Sequence, residues 1–165
     1  MKGIGNKTSQ STYEELSTKG YEAEQALKNR KTVSTSEKGQ KYILHTKGEA
    51  SVVYSVDGNI VKEGKKCDKL ILVRHTNAPE EWTEIFVELK GKDTNTAIDQ
   101  LKNTISNKLF RHPSNINIWA RIIGKSFPSH KANPNLEKAK ISFKKDFNCD
   151  LRGLKSNQAE NLIKK

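Results

Sequence analysis

The sequence predicts an α/β domain whose central mixed β-sheet has about four to five strands and is flanked by helices. Short apolar runs rich in β-branched residues recur between residues 41 and 123. An amphipathic helical pattern interrupts them, and further helical patterns lie at both ends of the chain. The predicted order is therefore a helix, three or four strands, a helix, a strand and a helix, with helices on both sides of the sheet.

Length and composition limit the class of protein. A chain of 165 residues is long enough for one domain with a core, and we expect a flexible segment over residues 1–11 and a single domain over residues 12–165. Hydrophobic residues make up only 33%, but they are concentrated in runs, which argues against global disorder. No run is long enough to span a bilayer, so we expect a soluble, cytoplasmic protein without a membrane partner.

The charge of the chain predicts a polyanionic partner. Thirty Lys and Arg against nineteen Asp and Glu give a formal net charge of +11. Contacts to successive phosphates release counterions, so a nucleic acid is the partner that this charge favours. Acidic lipids and ribosomal association are alternatives with the same charge requirement.

The first third of the chain predicts one helix and two strands. The helix begins at Ser11 or Thr12, and its imperfect apolar stripe extends to Leu27. Residues 31–40 are predicted to form a loop. Strands over residues 41–46 and 50–56 then form a pair. Asp57 opens a turn and is either an additional acid of a site or an ordinary turn residue.

Two further strands, over residues 67–73 and 84–90, carry charges at the ends that meet if the strands pair antiparallel. The polar segment between them suits a hairpin loop. Asp68 is then roughly opposite Lys90 and diagonal to Glu88. Charges of mixed sign converge at the end of an apolar hairpin, which predicts an active site; a solvated ion pair is the alternative.

Asp68 and Glu88 have the chemistry of a metal site. Two nearby carboxylates do not both stay ionised without a cation between them. Mg²⁺, or Mn²⁺ in its place, takes one or two carboxylates and keeps its other positions for water and phosphate. The backbone carbonyl of Leu89 is a possible third ligand. Such an ion activates a water against a phosphodiester, and Lys90 could orient that water or stabilise charge on the phosphate.

The pattern of Asp68 followed on the next strand by Glu88-x-Lys90 resembles the motif of the PD-(D/E)XK nucleases. This superfamily includes restriction endonucleases, Holliday-junction resolvases and repair exonucleases. Cys67 stands where the family motif has proline. The resemblance implies a restriction-endonuclease-like core of order αβββαβ, with Asp68 and Glu88 as metal ligands and Lys90 as the catalytic lysine.

The helix predicted from Thr94 extends the resemblance, which covers residues 50–125 well. A glutamine at the position of Gln100 often approaches the site in that family, so the resemblance implies a supporting catalytic role for it. A carboxylate of the first helix sometimes joins the metal site too. The candidates for that carboxylate remain open: Glu14, Glu15, Glu22 and Glu24.

The last third of the chain predicts a strand over residues 116–123, a basic helix from Asn135 to Phe147 and a short final strand near residues 151–154. The lysines of that helix form either a phosphate-contacting surface or a solvated face. They are Lys138, Lys140, Lys144 and Lys145.

We therefore expect a divalent-metal-dependent nuclease that hydrolyses phosphodiester bonds, in DNA, through a metal-activated water. One alternative is a catalytically inactive nucleic-acid-binding or assembly protein of the same fold. Another is an RNA-cleaving defence effector with the same site chemistry. The sequence leaves open DNA against RNA, endonuclease against exonuclease, and monomer against homodimer.

Overall fold

The computed structural model describes residues 11–64, 66–89, 93–125 and 133–162. These residues form three α-helices, α1 (Thr12–Thr18), α2 (Thr94–Ile105) and α3 (Pro134–Phe147), and one 3₁₀ turn (Lys108–Phe110). Their nine strands are β1 (Gln25–Asn29), β2 (Thr32–Glu37), β3 (Gln40–His45), β4 (Ala50–Ser55), β5 (Lys69–His75), β6 (Ala78–Leu89), β7 (Asn115–Gly124), β8 (Cys149–Lys155) and β9 (Ala159–Asn161).

Six of these strands form the main sheet, in the order β1-β4-β5-β6-β7-β8. The first four pair antiparallel, whereas β6, β7 and β8 pair parallel. Helices α2 and α3 connect the parallel strands, as such crossovers require. The predicted α/β class with a mixed sheet is confirmed, and the main sheet has six strands instead of four to five.

The two faces of the main sheet are covered by different elements. On one face, Leu16 of α1, Leu101 of α2 and Phe143 of α3 share an apolar core with strand residues. On the other face, a small sheet of order β2-β3-β9 contributes Tyr42 to a second core that contains Val87. The described helices thus lie on one face, so the prediction of helices on both faces is wrong for the described part of the chain.

The first helix is shorter than predicted. Ser11 is buried and caps α1 through a capping box, so it is not part of a flexible segment; residues 1–10 lie outside the described residues. After Thr18 the chain turns at Gly20, whose φ of +84° is readily adopted by glycine. The residues up to Leu27 then enter β1 instead of continuing the helix.

Strand β2 was predicted as a loop because Val33 is its only large apolar residue. Its side chains nevertheless alternate, with Val33 and Thr35 buried against the main sheet. Tertiary packing therefore decides the conformation of this polar segment. The predicted pairing of the next two strands is also wrong, because β3 pairs with β2 and β9 while β4 joins the main sheet. No described helix is both long and apolar enough to cross a membrane.

Candidate active site

The register of β5 and β6 brings Asp68 and Glu88 together. Lys69 is the Cα partner of Val87, and one further residue in the same register places Asp68 directly opposite Glu88. The prediction that Asp68 faces Lys90 was thus two residues out, and Lys90 lies outside the described residues. Directly opposite side chains share a face, with Cβ atoms about 4.5–5.5 Å apart.

Both carboxylates are buried, with Asp68 1% exposed and Glu88 fully enclosed. The backbone N–H of Leu89 donates to Asp68 Oδ2 at 2.8 Å. Lys38 Nζ donates to Asp68 Oδ1 at 2.9 Å. Removal of two like charges from water is costly unless cations and hydrogen bonds compensate them. Asp68 is therefore fixed by donors from two different elements.

Cys67 anchors the start of β5 beneath helix α2. Its N–H donates to Thr104 Oγ1 at 2.9 Å, and its side chain is completely buried. Burial raises the pKa of the Cys67 thiol, which keeps the thiol protonated. Cys67 therefore positions the neighbouring Asp68 and supplies no nucleophile.

Helix α2 brings Gln100 to the site. Asp93 caps this helix by accepting from Thr96 N at 3.1 Å, and Leu101 packs into the core. With its amide nitrogen turned towards the carboxylate, Gln100 donates to Glu88 Oε2 at 2.9 Å. The structure thus brings together Asp68, Glu88 and Gln100, while a catalytic role for Gln100 stays a prediction.

Lys38 is a site residue that the sequence reasoning missed. It lies at the tip of the β2–β3 hairpin, where Lys38 and Gly39 have φ values of +56° and +78°. Burial disfavours its charged form, but the hydrogen bond to Asp68 and the charges of Asp68, Glu88 and Glu37 outweigh this and raise the pKa of Lys38. A Lys-Gly pair at a hairpin tip was the available signal, but it needs the unpredicted β2 to be recognised.

A second ion-pair cluster fixes the hairpin beside the site. Lys69 Nζ lies 2.6 Å from Glu24 Oε1 and 3.1 Å from Glu37 Oε1, and its side chain is largely buried. Glu37 is the residue before Lys38, so this pairing holds the hairpin tip close to Asp68. Of the four acids proposed as an extra ligand, Glu24 is thereby connected to the residue next to Asp68.

The other proposed acids are engaged elsewhere or exposed. Glu14 completes the capping box of α1, and Glu15 Oε1 lies 2.6 Å from His112 Nε2. Glu22 is exposed to solvent. Asp57 lies in a turn, with Oδ1 3.6 Å from Lys66 Nζ, which supports its interpretation as a turn residue.

The oxygen donors at this site suit a hard divalent cation that needs only a few ligands from the protein. Among the described residues, no group of three or more His, Cys, Asp or Glu side chains is arranged to hold a metal ion. Mg²⁺ needs only one or two carboxylates and completes its shell with water and substrate oxygens. Asp68 and Glu88 are the two carboxylates that lie together here, and a metal ion between them stays a prediction. Leu89 contacts the site through its N–H, and a ligand role for its carbonyl stays a prediction.

The outer face of α3 is basic, as the sequence predicted. Ala139 and Phe143 are buried against the core, so the lysines of the helix face away from it. Three of them are exposed, whereas Lys140 pairs with Glu137 at 3.0 Å. The exposed three are Lys138, Lys144 and Lys145.

No protein-family model, curated protein or solved structure matches this chain. The interpretation of the site therefore depends on its own residues and their geometry.

Proposed function

We propose that the protein is a divalent-metal-dependent nuclease that hydrolyses phosphodiester bonds in DNA. The observation that carries this proposal is the pair of buried carboxylates, Asp68 and Glu88, which are opposite each other where β5 begins and β6 ends. Apolar residues of similar volume would pack here at a lower electrostatic cost. A bound cation is the partner that makes such a pair favourable.

The order of elements around the pair supports a restriction-endonuclease-like core. The sequence α1, β4, β5, β6, α2, β7 follows the order αβββαβ, with Asp68 directly before the second strand of the set and Glu88 on the third. Strands β1, β2, β3, β8 and β9 are then additions to that core. Asp68 directly precedes β5, Glu88 lies on β6 and Gln100 lies on α2, an arrangement that supports the resemblance.

Each residue has a role that follows from its contacts. Asp68 and Glu88 would hold Mg²⁺ or Mn²⁺, which polarises the phosphodiester and lowers the pKa of a bound water. Gln100 holds Glu88 in place through its amide. Lys38 has a side chain that is 46% exposed, so it can turn from Asp68 towards a substrate phosphate and stabilise developing negative charge. Lys90 stays the predicted catalytic lysine.

Net charge supports a nucleic-acid substrate. The formal charge of +11 and the exposed lysines of α3 favour a polyanion over a small neutral substrate. DNA is the substrate of the proposal, and RNA shares the same phosphodiester chemistry.

The Lys38–Asp68 ion pair favours a second candidate function. If Lys38 never releases Asp68, no metal ion can bind there. The protein is then a catalytically inactive nucleic-acid-binding protein of the same fold. Such a protein would bind DNA with a steep salt dependence and cleave none of the substrates tested.

The deciding experiment is cleavage of linear, circular and branched DNA, and of RNA, in Mg²⁺, Mn²⁺ or chelator. We expect metal-dependent cleavage that Asp68→Asn and Glu88→Gln both abolish. Glu80→Gln is the matched control, because Glu80 lies exposed on the same strand as Glu88. Cleavage of the circle identifies an endonuclease. DNA binding without cleavage in either metal would favour the inactive binding protein.

A further inference from the structure

Glu84 is a buried acid that the proposed active site does not use. It lies on β6 four residues before Glu88 and on the same face, about 13 Å away at the usual rise of a strand. Glu84 is 1% exposed, and its Oε2 has no hydrogen-bond partner. Among the described residues, no side chain forms an ion pair with it.

A cavity of about 280 Å³ is open to this acid. Its apolar walls include Phe110, Ile118 and Phe147. Arg111 and His112 also line it, and Arg111 is exposed, so the guanidinium lies at the solvent side of the cavity. His112 is held there by its contact with Glu15. The cavity thus has an acid at its base, apolar walls and a basic rim.

An acid in this position destabilises the fold. A buried polar group without a partner costs about 1–3 kcal/mol, and a leucine would fill the same place at lower cost. Burial raises the pKa of Glu84 well above its ordinary value, which favours the neutral carboxylic acid. In that form it presents one donor and one acceptor side by side.

We propose that this cavity is a second binding site that takes a mononucleotide. A neutral carboxylic acid matches the adjacent donor and acceptor of a nucleobase edge. Phe110 and Phe147 suit a flat ring, and Arg111 at the rim suits a phosphate. A cationic ligand would meet Arg111 at the entrance, which disfavours it. The site is separate from the Asp68–Glu88 pair and does not need a metal.

Calorimetric titration in chelator tests this site without any contribution from cleavage. The probes are each 5′-mononucleotide, the corresponding nucleosides and ribose 5-phosphate. We expect saturable binding of at least one mononucleotide, weakened roughly tenfold or more by Glu84→Leu. Glu84→Gln, which keeps a donor and an acceptor, should weaken it less. Arg111→Gln should lower the affinity for the nucleotide and leave the affinity for the nucleoside unchanged.

Three results would overturn the proposal: no saturable binding by the unaltered protein, equal affinity in Glu84→Leu, or ribose 5-phosphate that binds as tightly as the nucleotide. Thermal melting shows whether each variant is folded. If Glu84→Leu does not fold, the affinities of Glu84→Gln and Arg111→Gln decide the outcome. Glu88→Gln should bind the nucleotide normally, so failure of the nuclease proposal would not affect this result.

Discussion

Two buried charge clusters lie on opposite faces of the main sheet, and they differ in how their charges are balanced. On the small-sheet face, Arg121 is completely buried, and its Nε lies 2.9 and 3.0 Å from the two carboxylate oxygens of Glu160. Tyr42 donates to the same carboxylate at 2.7 Å, and the guanidinium stacks 4.6 Å from the Trp119 ring centre. Asp150 accepts a further bond from Arg121.

On the helix face, Asp68 and Glu88 place two carboxylates against one described lysine, Lys38, from a hairpin tip. The Arg121 cluster uses a planar fork that fixes several acceptors at once, whereas Lys38 is a half-exposed point charge on a flexible stem. The comparison shows that burial of charge alone does not identify an active site. If Asp68 and Glu88 hold a metal ion as proposed, the two clusters differ in whether the cation that compensates the carboxylates can be exchanged.

Arg121→Met should have the largest effect on stability. It leaves the largely enclosed Glu160 and the buried Tyr42 without their cation, and removal of one partner of a buried pair costs about 3–5 kcal/mol. Urea denaturation measures this loss. Arg152→Met is the control, because Arg152 is exposed and pairs with Asp150 at 2.9 Å, so its loss should cost less than about 1 kcal/mol. Equal effects of the two variants would remove the distinction between the clusters.

Glu88→Gln should have the opposite effect to Arg121→Met, with a large loss of cleavage and no loss of stability. We expect cleavage to fall roughly a thousandfold or more, which corresponds to about 4 kcal/mol in the barrier, because the cation loses one of its two carboxylates. The free energy of unfolding in chelator should stay equal or rise, since a buried like charge is removed. A large loss of stability instead would place Glu88 with the structural cluster.

Divalent cations should stabilise the unaltered protein but not Asp68→Asn. At a hundredfold excess over the dissociation constant, binding to the folded state alone adds about 2.7 kcal/mol. Thermal melting with and without Mg²⁺ measures this gain. Asp150→Asn, at the Arg121 cluster, is the control and should keep the full gain. A gain that survives Asp68→Asn would place the cation elsewhere.

Glu84 should make stability depend on pH. Above its ordinary value of 4.5 the unfolded chain loses the proton that folded Glu84 keeps, because burial raises the pKa in the folded state. Stability from this group is therefore complete below pH 4.5 and is lost as pH rises through the folded-state value. The slope is at most about 1.4 kcal/mol per pH unit. Glu84→Gln should remove this dependence on pH, which a series of denaturation curves between about pH 4 and pH 8 measures.

Lys38→Met should have the smallest effect. Loss of a charge-assisted bond at a half-exposed residue is expected to cost about 1 kcal/mol in chelator, and Mg²⁺ should restore more stability than in the unaltered protein because no lysine competes for Asp68. Lys31→Met, at an exposed position, is the control. If Mg²⁺ stabilised Lys38→Met and Lys31→Met by the same amount, Lys38 would not compete with a metal ion for Asp68.

The sequence predicted the elements whose patterns are local. Helix α2 begins at Thr94 as expected, because Asp93 caps it and Ala97 and Leu101 give it one apolar face. Strand β7 and helix α3 follow from equally clear patterns. The resemblance implied a role for Gln100 in the site, and the structure brings Gln100 close to Glu88.

What the sequence did not predict depends on distant contacts. Val33 alone gives β2 too little apolar pattern, and only packing on the main sheet makes it a strand. Lys38 could not be assigned to the site while its hairpin was unknown. The register of Asp68 with Glu88 was missed because the strands extend into the predicted loop as far as a turn at Thr76 and Asn77, and because the register shifts between Arg74 and His75.

The parallel pairing of β3 with β9 has a consequence for folding order. Strand β9 is the last described strand to be synthesised, and it joins residues more than a hundred positions apart in the chain. Until it docks, Arg121 lacks Glu160, and β3, the central strand of the small sheet, has an open edge. Contacts of such long range form slowly. During synthesis, the small sheet and the ion pair of Arg121 are therefore completed only when β9 docks.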